Sequence, residues 1–444
     1  MLNIDSPNLS QTATILSGQL KGSSADFNGV SIDSRTTEKG NLFIALRGPN
    51  FDGHDFVLAA IKKGAVAVMV EKWLDIDIPQ VKVNNTSQAL QTLAKAWRAQ
   101  VNIPIVGITG SSGKTSVKEM VAAIMQQHSA GLSTSGNLNN LIGVPLTLLK
   151  LRTSHRWAVI EMGASEPGEI EQLTEIVRPT ISLVNNISSA HIQGFGSKEQ
   201  TARTKGSIYS LLNKDDVALI PANSKYRKMW TNMTKSENII SFGDNDSADF
   251  YFSNQTIYTP DAKIEVNLPI KSEQMYFNST AATAICTNLG QNLQNIKNGL
   301  ESYQSPKGRL NQHKHKSGAI IIDDSYNANP ASVAAAIDYL KTFSNKRILV
   351  LGDMAELGDK SQKAHCKIGT YAKKANIQQI FSFGSESKYA SDSFKGIHFT
   401  NKDMLLKQLT PKLNSNTTVL IKGSRMMKMD TIVDALLNSK EGSE

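Results

Sequence analysis

Two cysteines in 444 residues, Cys286 and Cys366, are too few for a disulfide framework. They also lack metal-ligand spacing, so a reducing compartment is expected. Long apolar runs are missing as well. No stretch of 18 apolar residues occurs, and no membrane-spanning helix is expected. Residues 1–20 have neither a basic start nor a continuous apolar stretch, so no secretory signal is read. Aromatic residues are only 6% of the chain, and its 48 lysines and arginines are scattered. Without a basic stripe interleaved with aromatics, a nucleic-acid surface is not indicated. The formal charge of +9 fits nucleic acid and a small polyanion such as a nucleotide equally well, and alone chooses neither. Internal repeats and low-complexity tracts are absent too. A soluble, cytoplasmic protein is expected, taken as a monomer, with length for two to four domains.

What is present begins at residues 103–108, an apolar run that reads as a buried parallel strand. It breaks into the loop Thr109-Gly110-Ser111-Ser112-Gly113. A helix follows from Lys114 and Thr115-Ser116, with Val117, Met120, Val121 and Ile124 on one face. Strand, glycine loop and helix N-terminus make a phosphate cradle, in which exposed N–H groups and the helix dipole hold the anion and Lys114 adds a point charge. Thr115 is placed to put its hydroxyl on a Mg²⁺ bound to the same phosphates. The common pattern G-x-x-x-x-G-K-[ST] is met in a shorter variant, because Ile108 stands six positions before Lys114.

Around this stretch the chain divides into three units. Residues 1–100 carry strand-like runs at 30–35, 42–46 and 65–70, a helix near 87–100, and the polar loop Arg47-Gly-Pro-Asn-Phe-Asp-Gly-His-Asp-Phe56. Residues 101–305 alternate strands at 157–160, 181–184 and 217–220 with helical patterns, the signature of a doubly wound parallel sheet. Within them, 235–270 is polar and irregular, either an antiparallel edge or an excursion. Tyr303-Gln-Ser-Pro-Lys-Gly-Arg309 marks a boundary. Residues 306–444 repeat the α/β alternation with strands at 319–322, 347–351, 380–383 and 418–421.

Several strand ends carry chemistry. Glu161 closes the run 157–161 beside the phosphate loop, where a Mg²⁺ ligand or a capping carboxylate belongs. His191 follows the next strand and reads as a metal ligand or as a group orienting a carboxylate. Lys205 lies shortly after and by default is solvated. Asp323-Asp-Ser-Tyr-Asn-Ala-Asn-Pro330 leads from a strand into a helix, a loop suited to ribose or base. Together with 351–358 and 421–425 it gathers at one edge of the last sheet. His313 and His315 read as a solvated face.

These residues resemble the Mur ligases, the ATP-dependent amino-acid ligases of peptidoglycan precursor synthesis. The likeness runs nearly end to end, through Thr109-Gly-Ser-Ser-Gly-Lys-Thr-Ser-Val-Lys-Glu-Met120, Gly136-Asn-Leu-Asn-Asn140, Glu161-Met-Gly163, Asn185-Asn-Ile-Ser-Ser-Ala-His191, Asp324-Ser-Tyr-Asn-Ala-Asn-Pro330 and Gly352-Asp-Met-Ala-Glu-Leu-Gly358. The resemblance implies a UDP-sugar domain, a central ATPase domain and a Rossmann-like C-terminal domain, with ATP and Mg²⁺ as cofactors. It assigns Lys114, Thr115, Glu161 and His191 to phosphate and metal, and Lys205 to a carbamylated lysine that ligates the metal. Asn278, Arg309, Asp324, Tyr326 and Asn329 would hold the nucleotide. Ser31, Ser34, Arg35, Arg47, Gly48, Asp52, Gly53 and His54 resemble the UDP-sugar loops, and Asn137, Asn139, Asn140, Lys422 and Arg425 fall to substrate.

Asn137-Leu-Asn-Asn140 and Asp353-Met-Ala-Glu356 point within the family to the branch that joins D-alanyl-D-alanine to UDP-N-acetylmuramoyl-tripeptide. The alternatives are a ligase adding one amino acid to a UDP-muramyl peptide or glutamate to folate, or, from another class, an ATP-driven binding protein or nucleic-acid motor. Two departures from the family pattern stand out. Ser207 replaces a commonly acidic residue, and Phe277-Asn278 lacks the usual glycine-bearing, His-Asn-type context.

Overall fold

The structure is a computed structural model that describes residues 3–188 and 195–438. Its centre is a nine-stranded sheet in which Ile105–Thr109 lies third from one edge, between Ala158–Glu161 and Ile181–Val184. All five residues of Ile105–Thr109 are buried, as expected of a parallel strand covered by helices on both faces. Seven strands, from Leu132–Ser133 to Phe250–Ser253, run parallel. The irregular stretch 235–270 turns out to be the sheet's edge. It supplies the parallel strands Asn238–Gly243 and Phe250–Ser253, then the antiparallel strands Thr256–Tyr258 and Lys263–Glu265. Cross-strand stacking of Tyr251 on Tyr258, with ring centroids 4.6 Å apart, holds that register.

The helix Lys114–Met125 lies on this sheet with Val117, Met120, Val121 and Ile124 buried. Its outer side is covered by Glu273–Asn288 and Leu293–Glu301. Both cysteines are free. Burial pushes the Cys286 thiol up, well away from reactivity.

Residues before 100 build a five-stranded sheet in the order Gln19–Lys21, Gln80–Lys82, Ala67–Val70, Asn41–Ile44, Gly29–Ser31, antiparallel only at the first pair. The helix Thr86–Arg98 joins this unit to the next. Asn85 caps it by accepting the N–H of Gln88, and Leu90, Leu93, Ala94 and Trp97 are buried. The Trp97 indole donates to Leu151 O at 3.0 Å and Arg98 Nε to Val177 O at 2.9 Å, so the seam with the central unit is packed and hydrogen-bonded. The last unit is a six-stranded sheet ordered Asn311–Lys314, Ile320–Asp324, Thr417–Lys422, Lys346–Gly352, Gln379–Phe383, Ile397–Phe399, parallel after its first strand. The chain is thus a three-domain α/β protein. No described helix is long and apolar enough to cross a membrane.

Close packing holds the phosphate-loop helix in place. A Cβ on Gly299 would lie 2.5 Å from Ile124 Cα, so only glycine lets the helix Leu293–Glu301 approach this closely. Gly299→Ala is expected to lower stability by about 1–3 kcal/mol, read as a lower midpoint in denaturant unfolding with an unchanged slope.

Candidate active site

The loop Thr109–Gly113 has almost no side chain with which to shape itself. Its form comes from Asn185 and Asn186, just past the neighbouring strand. Ser111 N donates to Asn186 O (3.0 Å), and Ser112 N and Oγ donate to Asn186 Oδ1 (2.9 and 3.1 Å). Asn185 Nδ2 donates to Ser112 O (3.0 Å) and to Asn278 Oδ1 (2.9 Å). Gly113 sits at φ 76°, and a Cβ there would meet Asn185 Nδ2 at 2.4 Å and Asn278 Oδ1 at 2.5 Å. Lys114 Nζ folds back to donate to Gly110 O at 2.8 Å. Burial lowers the pKa of Lys114, opposed by the nearby Glu161 charge and reinforced by Arg309.

Glu161 is buried and receives Thr115 Oγ1 on one oxygen (2.7 Å) and Asn139 Nδ2 on the other (2.8 Å). Lys205, on the helix Lys198–Gly206, is also buried. Burial first, and the charge of Lys114 second, pull its pKa down to about 7. Its amine is therefore partly free base at neutral pH. Three buried polar atoms around the loop have no partner: Thr109 Oγ1, Asn185 Oδ1 and Ser188 Oγ. Unsatisfied groups of this kind are costly unless a ligand or water meets them.

A cavity of about 580 Å³ opens over the loop, with the third domain as its far wall. Asp324 and Lys422 meet there, Nζ 2.6 Å from Oδ2, and Lys422 also donates to Asn327 O at 2.9 Å. Burial raises the Asp324 pKa, against the pull of Lys422. Tyr326 lies between two guanidinium groups, with Arg309 4.4 Å and Arg425 5.9 Å from the ring centroid. Asn329 caps the helix Pro330–Lys341 by accepting the N–H of Ser332. Basic and hydroxyl groups from two domains thus face one volume, which suits a nucleotide triphosphate.

Family models match in three consecutive blocks: the Mur ligase family catalytic domain over residues 26–128, the Mur ligase middle domain over 108–286, and the Mur ligase glutamate ligase domain over 308–425. A UDP-N-acetylmuramoyl-tripeptide–D-alanyl-D-alanine ligase of Escherichia coli (strain K12) is 40% identical, covering 96% of this chain and 98% of its own. The chain belongs to the Mur ligase family. The ligase of the same name from Haemophilus influenzae is 39% identical over 96% of this chain and 97% of its own. Among solved structures, MurF from Acinetobacter baumannii superposes with a TM-score of 0.90 at 33% identity, covering 97% of this chain and 98% of its own. The MurF ligase of Thermotoga maritima, solved in complex with ADP, gives 0.82 at 26% identity over 92% and 96%.

In this Mur ligase the cavity gathers Lys114, Thr115, Glu161, the asparagines Asn137, Asn139 and Asn140, Asn278, and the third-domain residues Arg309, Asp324, Tyr326, Asn329, Lys422 and Arg425. The Asn140 Oδ1 also accepts the N–H of Gly143, the first residue of the helix Gly143–Leu148, at 2.8 Å. Lys205 does not line the cavity. His191 falls outside the described residues.

The first-domain residues stand apart from the cavity. Arg35 pairs with Asp33 (2.7 Å), and Ser31 Oγ donates to Asp33 O; Ser34 is part-exposed beside them. Arg47 bridges Asp52 and Glu71, each at 3.2 Å. His54 is buried, its Nδ1 2.5 Å from Asp52 Oδ1 and its Nε2 accepting the N–H of Glu71. That arrangement makes His54 a strut for the loop. The His54 N–H is the largest cause holding the Asp52 carboxyl down at about 2. Gly48 packs under the Phe51 ring, and Gly53 against the backbone of Leu46.

Asn185 and Asn186 stand in a motif of the sequence that by itself assigns them no role. The available signal was a pair of amides directly after an apolar strand. Gly113→Ala is expected to keep the fold but push the loop off its asparagine clamp, with about tenfold or greater loss of ATP affinity, roughly 1.4 kcal/mol, in a calorimetric titration.

Proposed function

We propose that this Mur ligase joins D-alanyl-D-alanine to UDP-N-acetylmuramoyl-tripeptide with conversion of ATP to ADP and phosphate, forming the UDP-linked pentapeptide precursor of peptidoglycan. The observation that carries the reading is identity near 40% with ligases of that name over 96% of the chain, together with a phosphate loop opening into a cavity shared by two domains.

The tripeptide's terminal carboxylate attacks the γ-phosphorus, the bond to the β-phosphate oxygen breaks, and ADP leaves. The acyl phosphate then accepts the dipeptide amine, which loses a proton as phosphate departs. The protein's help is placement and charge. Backbone N–H groups at the helix start, those of Gly113, Lys114 and Thr115, hold the phosphates, while Ser111 and Ser112 give theirs to Asn186. Lys114, released from Gly110 O, follows the charge of the transferring group. Arg309 and Tyr326 frame the nucleotide from the third domain.

Thr115 and Glu161 suit Mg²⁺. They offer hard oxygens 2.7 Å apart, and among the described residues no group of three His, Cys, Asp or Glu converges. Mg²⁺ takes one or two protein oxygens and completes its shell with phosphate and water. When bound, it neutralises charge on the β- and γ-phosphates.

The decisive assay is phosphate release against a panel of UDP-muramyl peptides and amine acceptors, with turnover expected only for the tripeptide and D-alanyl-D-alanine together. Ligation of a single amino acid and not of the dipeptide would overturn the branch.

Lys205 is read as the lysine that becomes a carbamate. Carbon dioxide adds only to the neutral amine, so with a pKa of about 7 the modification is present above that pH and lost below it. A ¹³CO₂ carbamate resonance should therefore grow as pH rises through neutrality and vanish in Lys205→Ala. That variant should be nearly inactive, with partial recovery from added short carboxylic acids. Full activity without rescue would remove Lys205 from the mechanism.

A further inference from the structure

Lys118 is fully buried one turn beyond Lys114 on the same helix, and the mechanism above leaves it without a role. A buried ammonium is costly unless its donors are met. Nζ donates to Thr134 O at 2.5 Å and lies 2.5 Å from Glu119 Oε1. Thr134 follows the edge strand Leu132–Ser133. Its N–H donates to Val159 O (3.1 Å), and its Oγ1 accepts the N–H of Glu161 (2.9 Å). Beyond it the chain has little to hold it: Ser135, Gly136 and Asn137 are exposed, and Gly136 sits at φ 56°. The next anchor is Asn139, whose O accepts the N–H of Gly163 (2.7 Å) and whose Nδ2 donates to Glu161 Oε1 (2.8 Å). The other Glu161 oxygen returns to the helix through Thr115 Oγ1.

The bonds close a ring. Helix connects to carboxylate through Thr115, carboxylate to loop through Asn139, and loop back to helix through Lys118. A methionine would fill the same volume without a buried charge, and such replacements are often neutral or stabilising. What methionine lacks is a donor for the last fixed carbonyl before the open loop.

We propose that Lys118 is a positioning residue for phosphoryl transfer. By holding Thr134 O it sets the loop 134–140, and through Asn139 it sets the direction in which the Glu161 carboxylate faces the phosphates. The inference rests on the reading of Glu161 as the carboxylate turned toward metal and phosphate.

The test is Lys118→Met in the full chain. Its kcat should fall roughly 10- to 100-fold, as small misplacements of reacting groups do, while KM for UDP-N-acetylmuramoyl-tripeptide and for D-alanyl-D-alanine stays within about twofold. Hydrogen exchange should quicken at 134–140 and at the N–H groups of Glu161 and Gly163. Combined with Asn139→Ala, the loss should be no greater than that of the worse single variant, because both act on one carboxylate. Unchanged kcat with a lower melting temperature would make Lys118 a plain strut and overturn the proposal, as would additive losses. If Lys118→Met does not fold, Lys118→Gln, which keeps a donor for Thr134 O, should hold kcat within about threefold of the unmodified enzyme, and a roughly tenfold or greater loss in it would overturn the proposal. In the unmodified protein, Glu161 and Gly163 N–H groups exchanging as fast as those of 135–137 would also overturn it. Absence of ligation by the unmodified enzyme would instead count against the proposed function, with exchange still judging the tie.

Discussion

A loop of glycine and serine has no core of its own, so the shape it needs to hold a polyphosphate must be imposed from outside. Here the imposition is made by two amide side chains at the end of the adjacent strand. Asn186 takes the N–H groups of Ser112 through its side chain and of Ser111 through its carbonyl, and Asn185 ties Ser112 O to Asn278 on a distant helix. Gly113 is wedged between Asn185 and Asn278 with no room for a Cβ. Much else follows from this clamp. The start of the helix Lys114–Met125 is set by it, and with it the positions of Lys114, Thr115 and Lys118.

Around the clamp the protein buries several amines, each of which would be expensive alone. Lys114 is turned onto a loop carbonyl, Lys118 onto Thr134 O and Glu119, and Lys422 onto Asp324. Lys205 answers the same cost differently, because burial beside Lys114 draws its proton off near neutrality. Burial therefore yields two kinds of group: amines tied to a carbonyl or a carboxylate, and one whose pKa is drawn down.

The third domain reaches this cluster through a short connection. In the turn 305–309, Arg309 N bonds back to Pro306 O, and Tyr326 N donates to Gly308 O. Leu310 at φ 56° follows directly. The turn is thus fastened to the third sheet and carries Arg309 with it, onto the face of Tyr326. The first domain, by contrast, is joined through the buried seam of Thr86–Arg98.

Local pattern was enough to show the three α/β units, the phosphate loop and the carboxylate at the end of the strand beside it. Strand and helix periodicity, glycine placement and strand-end polarity are properties of neighbours in the chain, and a sequence records them directly. The segment 235–270 resisted because its strands are short and gain their partners only at a sheet edge. His54 and Asn329 show the other limit. Beyond the ligand contacts the resemblance implies for them, His54 braces Asp52 and the Glu71 N–H, and Asn329 caps a helix, structural tasks that the sequence does not record. The bonds of Asn185 and Asn186 to the loop and to Asn278, and that of Lys118 to Thr134 O, were equally out of reach, since those partners lie 16 to 93 residues away along the chain. Such bonds depend on distance in space, and chain separation says nothing of that until the sheets have packed.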